Sequence, residues 1–154
     1  DIKELLCKSE EIIQELNDLV EKDAKAFYPL SQAYGLSANT QEEKESKEAA
    51  LQQALTEATL VPLQIAEVCK KAIDLHQSYA EKGTRIAISD VGVGVAFCKA
   101  ALQGAKLNVL INTAIMKDEE LKKDVLKRLE EIENAGIKKA DFIYEQVEKM
   151  LGGK

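Results

Sequence analysis

The sequence predicts an all-α protein, an antiparallel bundle of five or six long, partly kinked helices. Three observations carry that expectation. Apolar residues recur at intervals of three, four and seven along almost the whole chain, and no segment alternates with period two. Aromatic residues make up only 5% of the chain and Trp is absent, so the core must be built from Leu, Ile, Val and Ala, a palette suited to closely packed helices. Gly and Pro fall at a few separated points, where they punctuate the periodic segments.

The first element is a helix over residues 2–34. Ile2, Leu5, Ile12, Leu16, Leu19, Ala26 and Leu30 form its stripe, and Pro29 is expected to kink it near Ala26. Asp23 falls on that stripe, between Leu19 and Phe27. A carboxylate in an apolar stripe costs several kcal/mol if left unpaired. A Lys partner or a capping role is the structural reading; proton transfer is the functional one.

Residues 35–43, GLSANTQEE, break the pattern. Gly35 fits a helix stop, and Thr40 with Glu43 three residues later forms a capping box. A second helical pattern runs from about 41 to 82 through Leu51, Leu55, Ala58, Ile65, Cys69, Ile73 and Ala80, with Pro62 inside it. The single His76 lies on its apolar side and reads as a packed, hydrogen-bonded histidine. Lys82, Gly83, Thr84 and Arg85 form the next break. Its cations suit either an anionic ligand or an ordinary solvated turn.

Residues 83–112 are the charge-poor heart of the chain and are expected to be interior. Ser89 or Asp90 is expected to cap a helix there. Val91, Val95, Cys98 and Leu102 lie on one face; Val93, Phe97 and Ala101 make a second apolar face. Gly92 and Gly94 point to close approach of a neighbouring helix or ligand. Gly104 is expected to end the helix, with a second short one carrying Asn108 and Asn112 on a shared face. Those two amides either tie the core together or hold a polar ligand. A last helix is expected over residues 118–151, its many Glu/Lys pairs marking a solvated face, with a frayed tail over residues 152–154.

Composition narrows the function. A net charge of −6 argues against nucleic acid or an anionic membrane as partner. No apolar run reaches the roughly 18 residues of a membrane span. Cys7, Cys69 and Cys98 are scattered without a Cys-x-x-Cys pair, which reads as reduced thiols in a cytoplasmic protein. One His and no Cys pair make a zinc site improbable, so no metal is expected. Gly92-Val93-Gly94 lacks the third Gly and the preceding strand of a dinucleotide fingerprint.

Three segments carry a resemblance: DAKAF at residues 23–27, ATLVPLQIAEVCKKAIDL at 58–75 and SDVGVGVAFCKAALQGAKLNVLIN at 89–112. In order and spacing they resemble the formiminotetrahydrofolate cyclodeaminase and methenyltetrahydrofolate cyclohydrolase family. The resemblance implies an all-helical, dimeric, cytoplasmic folate enzyme with a tetrahydrofolate derivative as substrate and no tightly bound cofactor. It implies a proton-transfer role for Asp23, and folate contacts from Lys82, Gly83, Ser89, Asp90, Asn108 and Asn112. For Asp90 helix capping remains an equal alternative.

The chain has Gly83-Thr84 where the family usually has Gly-Asn, and it shows no Gly-rich segment ahead of its first helix. The expectation is therefore a single domain over residues 1–154, incomplete at its N-terminus, with weak or no turnover by itself. No residue separates the two reactions; the free-standing form favours the cyclohydrolase. The competing expectation is a non-catalytic helical dimerisation or folate-binding module.

Overall fold

A computed structural model describes residues 2–152. Asp1 and, of the expected frayed tail, Gly153 and Lys154 lie outside the described residues. Four helices follow one another: α1 (Ile2–Tyr34), α2 (Gln41–Lys82), α3 (Ile88–Thr113) and α4 (Glu119–Gly152). The all-α class stands. The helix count is four, not five or six.

The difference in count comes from α2 and α3. Pro62 lies inside α2 without dividing it, and α3 runs unbroken through Gly104. A Gly inside a helix costs roughly 1 kcal/mol relative to Ala. Buried neighbours Leu102, Ala105 and Val109 hold that turn in place and outweigh the cost.

The expected capping box starts α2. Thr40 Oγ1 accepts the Glu43 N–H at 3.2 Å, and Glu43 Oε2 accepts the Thr40 N–H at 3.1 Å. Ser89 and Asp90 do not cap α3. The helix begins at Ile88, after Ala87, with no side-chain cap bond, which leaves both residues in the first turn.

Successive helices run antiparallel, as the cross-links show. Ser9 bonds Tyr79 while Lys22 bonds Gln64. Lys99 pairs with Asp141 and Lys106 with Glu133. Helix α2 is the hub: α1, α3 and α4 all pack on it, α4 also packs on α3, and α1 packs on α2 alone. Leu63, Ile73, Val95, Leu102, Val125 and Ile143 fill the core where α2, α3 and α4 meet. A smaller cluster of Leu19, Val61 and Val68 seats α1. Gly92 and Gly94 are the close approaches the sequence suggested. A Cβ at Gly92 would meet Val147 of α4, and one at Gly94 would meet the His76 ring of α2. His76 itself donates Nδ1–H to the Ala72 carbonyl at 2.7 Å, the satisfied role expected of it.

Helix α3 is not wholly interior, contrary to the expectation for residues 83–112. Val95 is fully buried, but Val93, Phe97, Leu107 and Ile111 are open, Phe97 to 71%. The second apolar face is therefore a surface. Helix α1 also keeps an open apolar row, Leu6, Ile13, Val20, Phe27 and Tyr34, one residue every seven.

Candidate functional site

Two rows of α1 meet at Asp23. Leu19 and Leu30 are buried against α2; Val20 and Phe27 are open. Asp23 lies between these rows at helical spacing and is partly buried. Among the described residues its carboxylate has no hydrogen-bond or ion-pair partner, so the paired reading does not hold there. Burial pushes its pKa above the ordinary carboxylate value.

The polar edge of α1, Glu15 and Lys22, meets Lys71 and Gln64 on one side of α2. The opposite edge, with Val20 and Phe27, turns toward α3. On α3, Lys99 and Lys106 reach Asp141 and Glu133 of α4, so the opposite edge, with Phe97 and Asn108, turns toward α1. Because α1 does not pack on α3, these edges wall an open groove with α2 as its floor.

Asp23 and Asn108 lie at about one height on that groove, and Asn112 lies beyond them. Lys22 bonds Gln64, and Asn112 Nδ2 donates to the Ala58 carbonyl at 2.7 Å. Six residues separate Gln64 from Ala58, roughly 9 Å along the axis. Asn108 stands one turn from Asn112. The two amides nevertheless differ. Asn112 keeps only 9% exposure and ties α3 to α2, whereas Asn108 is exposed. Of the two roles the sequence offered these amides, Asn112 takes the core tie and Asn108 stands open.

Lys82, Gly83, Ser89 and Asp90 are exposed at the far end of α2 and the start of α3. From Gln64 to Lys82 is 18 residues, roughly 27 Å of helix. Asp23 and Asn108 fall at one level of the bundle, Asn112 lies roughly 9 Å further along, and the other four lie at the far end. A cavity of about 690 Å³ between α1 and α2, lined by Lys22, Lys25, Pro29 and Glu57 among others, excludes Asp23 and lies on the polar edge of α1. It has no part in the groove.

Pro62 was legible only as a proline inside the second helical pattern. Its larger effect is on Ala58, four residues earlier, whose carbonyl loses its helical N–H partner and takes Asn112 instead. Among the described residues no group of His, Cys, Asp and Glu is arranged to hold a metal, and no helix is long and apolar enough to cross a membrane.

Comparison with known proteins now bears on this site. The chain is 42% identical over 130 residues to the methenyltetrahydrofolate cyclohydrolase of Methylorubrum extorquens, covering 84% of this chain and 62% of that protein. It is 35% identical over 115 residues to the formimidoyltransferase-cyclodeaminase of Mus musculus, covering 75% of this chain and 21% of that one. The fold matches the crystal structure of formiminotetrahydrofolate cyclodeaminase from Thermotoga maritima with a TM-score of 0.73 and 35% identity, over 94% of this chain and 66% of the other. The chain thus spans less than two thirds of the length of each. A family model for formiminotransferase-cyclodeaminase matches residues 1–131, and the chain belongs to that family.

Proposed function

We propose that this chain carries the proton-transfer part of a folate one-carbon site. It would hydrolyse 5,10-methenyltetrahydrofolate to 10-formyltetrahydrofolate, or close 5-formiminotetrahydrofolate with release of ammonia. The observation that carries the reading is Asp23: a partly buried carboxylate without a partner, its pKa raised, on the wall of an open groove. The names of the relatives, one a cyclohydrolase and others cyclodeaminases, support both reactions.

In the hydrolysis, water adds to the methenyl carbon between N5 and N10, and Asp23 takes its proton. Asp23 then gives that proton to N5 as the C–N5 bond breaks. It takes the hydroxyl proton in turn, leaving a formyl group on N10, and releases that proton to solvent. In the deamination, N10 adds to the carbon of the protonated formimino group, Asp23 takes the N10 proton and gives it to the resulting amine, and ammonia leaves as the methenyl cation forms. Both directions need one group that accepts and donates near neutral pH, which a raised carboxylate pKa favours. When ionised, the same group favours the delocalised cation. Asn108, open at the same height, would bond the pterin or position water. The chemistry draws on the folate carrier and these side chains, with no tightly bound cofactor.

Lys82, Gly83, Ser89 and Asp90 stand too far from Asp23 to share the reacting atoms. Their proposed contact is with the distal, anionic part of the folate. The open face of α3 supports a homodimer: Val93, Phe97, Ala100, Gly104, Leu107 and Ile111 recur every three or four residues, and nothing lies within 4 Å of where a Gly104 Cβ would stand. Three free thiols support a reducing, cytoplasmic setting.

The test follows loss of methenyltetrahydrofolate by absorbance, with ammonia release from formiminotetrahydrofolate in parallel. Conversion in either assay that Asp23→Asn abolishes supports the reading. Conversion that survives Asp23→Asn contradicts it.

A further inference from the structure

We infer that Pro62 is a positioning residue: by freeing the Ala58 carbonyl it fixes the amide of Asn112 so that Asn112 presents its Oδ1 to the groove as a hydrogen-bond acceptor. The inference rests on the folate reading for the identity of the ligand, and on the fold alone for the orientation.

In an uninterrupted helix the Ala58 carbonyl would accept the N–H of residue 62. Proline has no N–H, so that carbonyl needs another donor. Asn112 of α3 supplies one through Nδ2 at 2.7 Å. An asparagine amide can turn over, exchanging donor and acceptor. Here it cannot do so freely, because a flip would set Oδ1 against the Ala58 carbonyl oxygen. The amide orientation follows from that lone partner. Oδ1 then faces away from Ala58; it has no hydrogen-bond partner, yet it is not sealed off, since no buried side-chain polar atom among the described residues lacks one. Asn112 keeps 9% exposure at the groove edge of α3, roughly 9 Å along α2 from the level of Gln64 and Lys22, the neighbour of Asp23. The arrangement is a rigid acceptor, and its complement is a donor. A reduced pteridine offers donors in its ring N–H groups and its 2-amino group.

A structural tie between α3 and α2 would need only the Nδ2 bond. What separates a positioning role from that one is coupling: Pro62 should matter to the ligand only while Asn112 is present. Pro62→Ala returns a helical N–H to Ala58 and favours helix, so the variant folds. The experiment uses the 154-residue chain, and two readouts. Side-chain amide NMR reads the Asn112 Nδ2–H₂ group by its exchange protection and its scalar coupling to the Ala58 carbonyl. Titration with 5-formyltetrahydrofolate, a stable folate, reads the ligand.

The expected result is a protected, coupled Asn112 amide in the native protein, lost in Pro62→Ala. Affinity for the folate falls about tenfold in that variant, the share of one hydrogen bond. Asn112→Leu falls as far, and the double variant falls no further than Asn112→Leu alone. Protection that persists in Pro62→Ala overturns the inference, as does affinity that stays unchanged once the amide is released, or losses that simply add. A native chain that shows the coupling but binds no folate overturns the proposed function and the acceptor role with it. Failure of the Pro62 variant in a chain that does bind folate overturns this inference alone.

Discussion

Asp23 and Asp74 are two partly buried carboxylates on neighbouring helices, and their environments drive them in opposite directions. Burial raises the pKa of both. At Asp74, on the seam between α2 and α4, hydrogen bonds from Lys139 and Lys70 at 2.8 and 2.7 Å outweigh burial, and the pKa ends below the ordinary value. At Asp23, on the groove between α1 and α3, nothing opposes burial, and the pKa ends above it. The seam is built as a paired ion network; the groove holds one carboxylate without a side-chain partner among the described residues.

The largest effect that sharpens this comparison is on turnover. Asp23→Asn keeps the shape and removes the transferable proton. In a protein that carries the Gly-rich segment ahead of this chain, activity is expected to fall by about 10²–10⁴-fold, in initial rates followed by absorbance, while folate still binds and the melting temperature holds or rises. A lower melting temperature with unchanged turnover per folded molecule would return Asp23 to a structural role.

The next effect sets the two faces of α3 against each other. Leu102 is fully buried, so Leu102→Ala is expected to cost about 2–5 kcal/mol in denaturant unfolding. Phe97 is open, so Phe97→Ala is expected to change monomer stability by no more than about 0.5 kcal/mol. Phe97→Glu is expected instead to shift the sedimentation mass from dimer to monomer at micromolar concentration. A monomer before the substitution counts against the dimer.

The smallest effect concerns pH. A carboxylate with a lowered folded pKa stabilises the fold above its unfolded pKa, and that contribution disappears as pH falls through the folded value. One with a raised folded pKa works the other way: its cost is present above the folded value and disappears as pH falls toward the unfolded one. Asp74→Asn is therefore expected to destabilise slightly at neutral pH, by about 1 kcal/mol or less for so exposed a network, and to make no difference in strong acid. Asp23→Asn is expected to stabilise at neutral pH and to converge with the native protein on acidification. Unfolding curves for both variants across pH check the two signs.

How far the sequence was legible depended on whether a feature is local. The Thr40–Glu43 box spans four residues and was readable. The bounds of α1 and α2 followed from their stripes and breaks. Gly104 misled because its propensity cost is local while the packing of Leu102, Ala105 and Val109 that overrides it is not. Ser89 and Asp90 looked like caps, but the turn at Ala87 starts the helix ahead of them. The open face of α3 was read as core because an exposed apolar face has the composition of an interior. Asn112 could not be told from Asn108, since its partner carbonyl lies 54 residues away. The unpaired state of Asp23 was legible only as a question, which the arrangement of Lys22 toward Gln64 and Lys25 toward Glu21 answers.

The central claim is that Asp23 is a partly buried carboxylate held without a partner. A ¹³C NMR titration of the side-chain carboxyl groups reads it directly, with Asp74 as internal reference. The account expects Asp23 to titrate above the ordinary value of 3.8 and Asp74 below it. An Asp23 midpoint at or below 3.8 would contradict it.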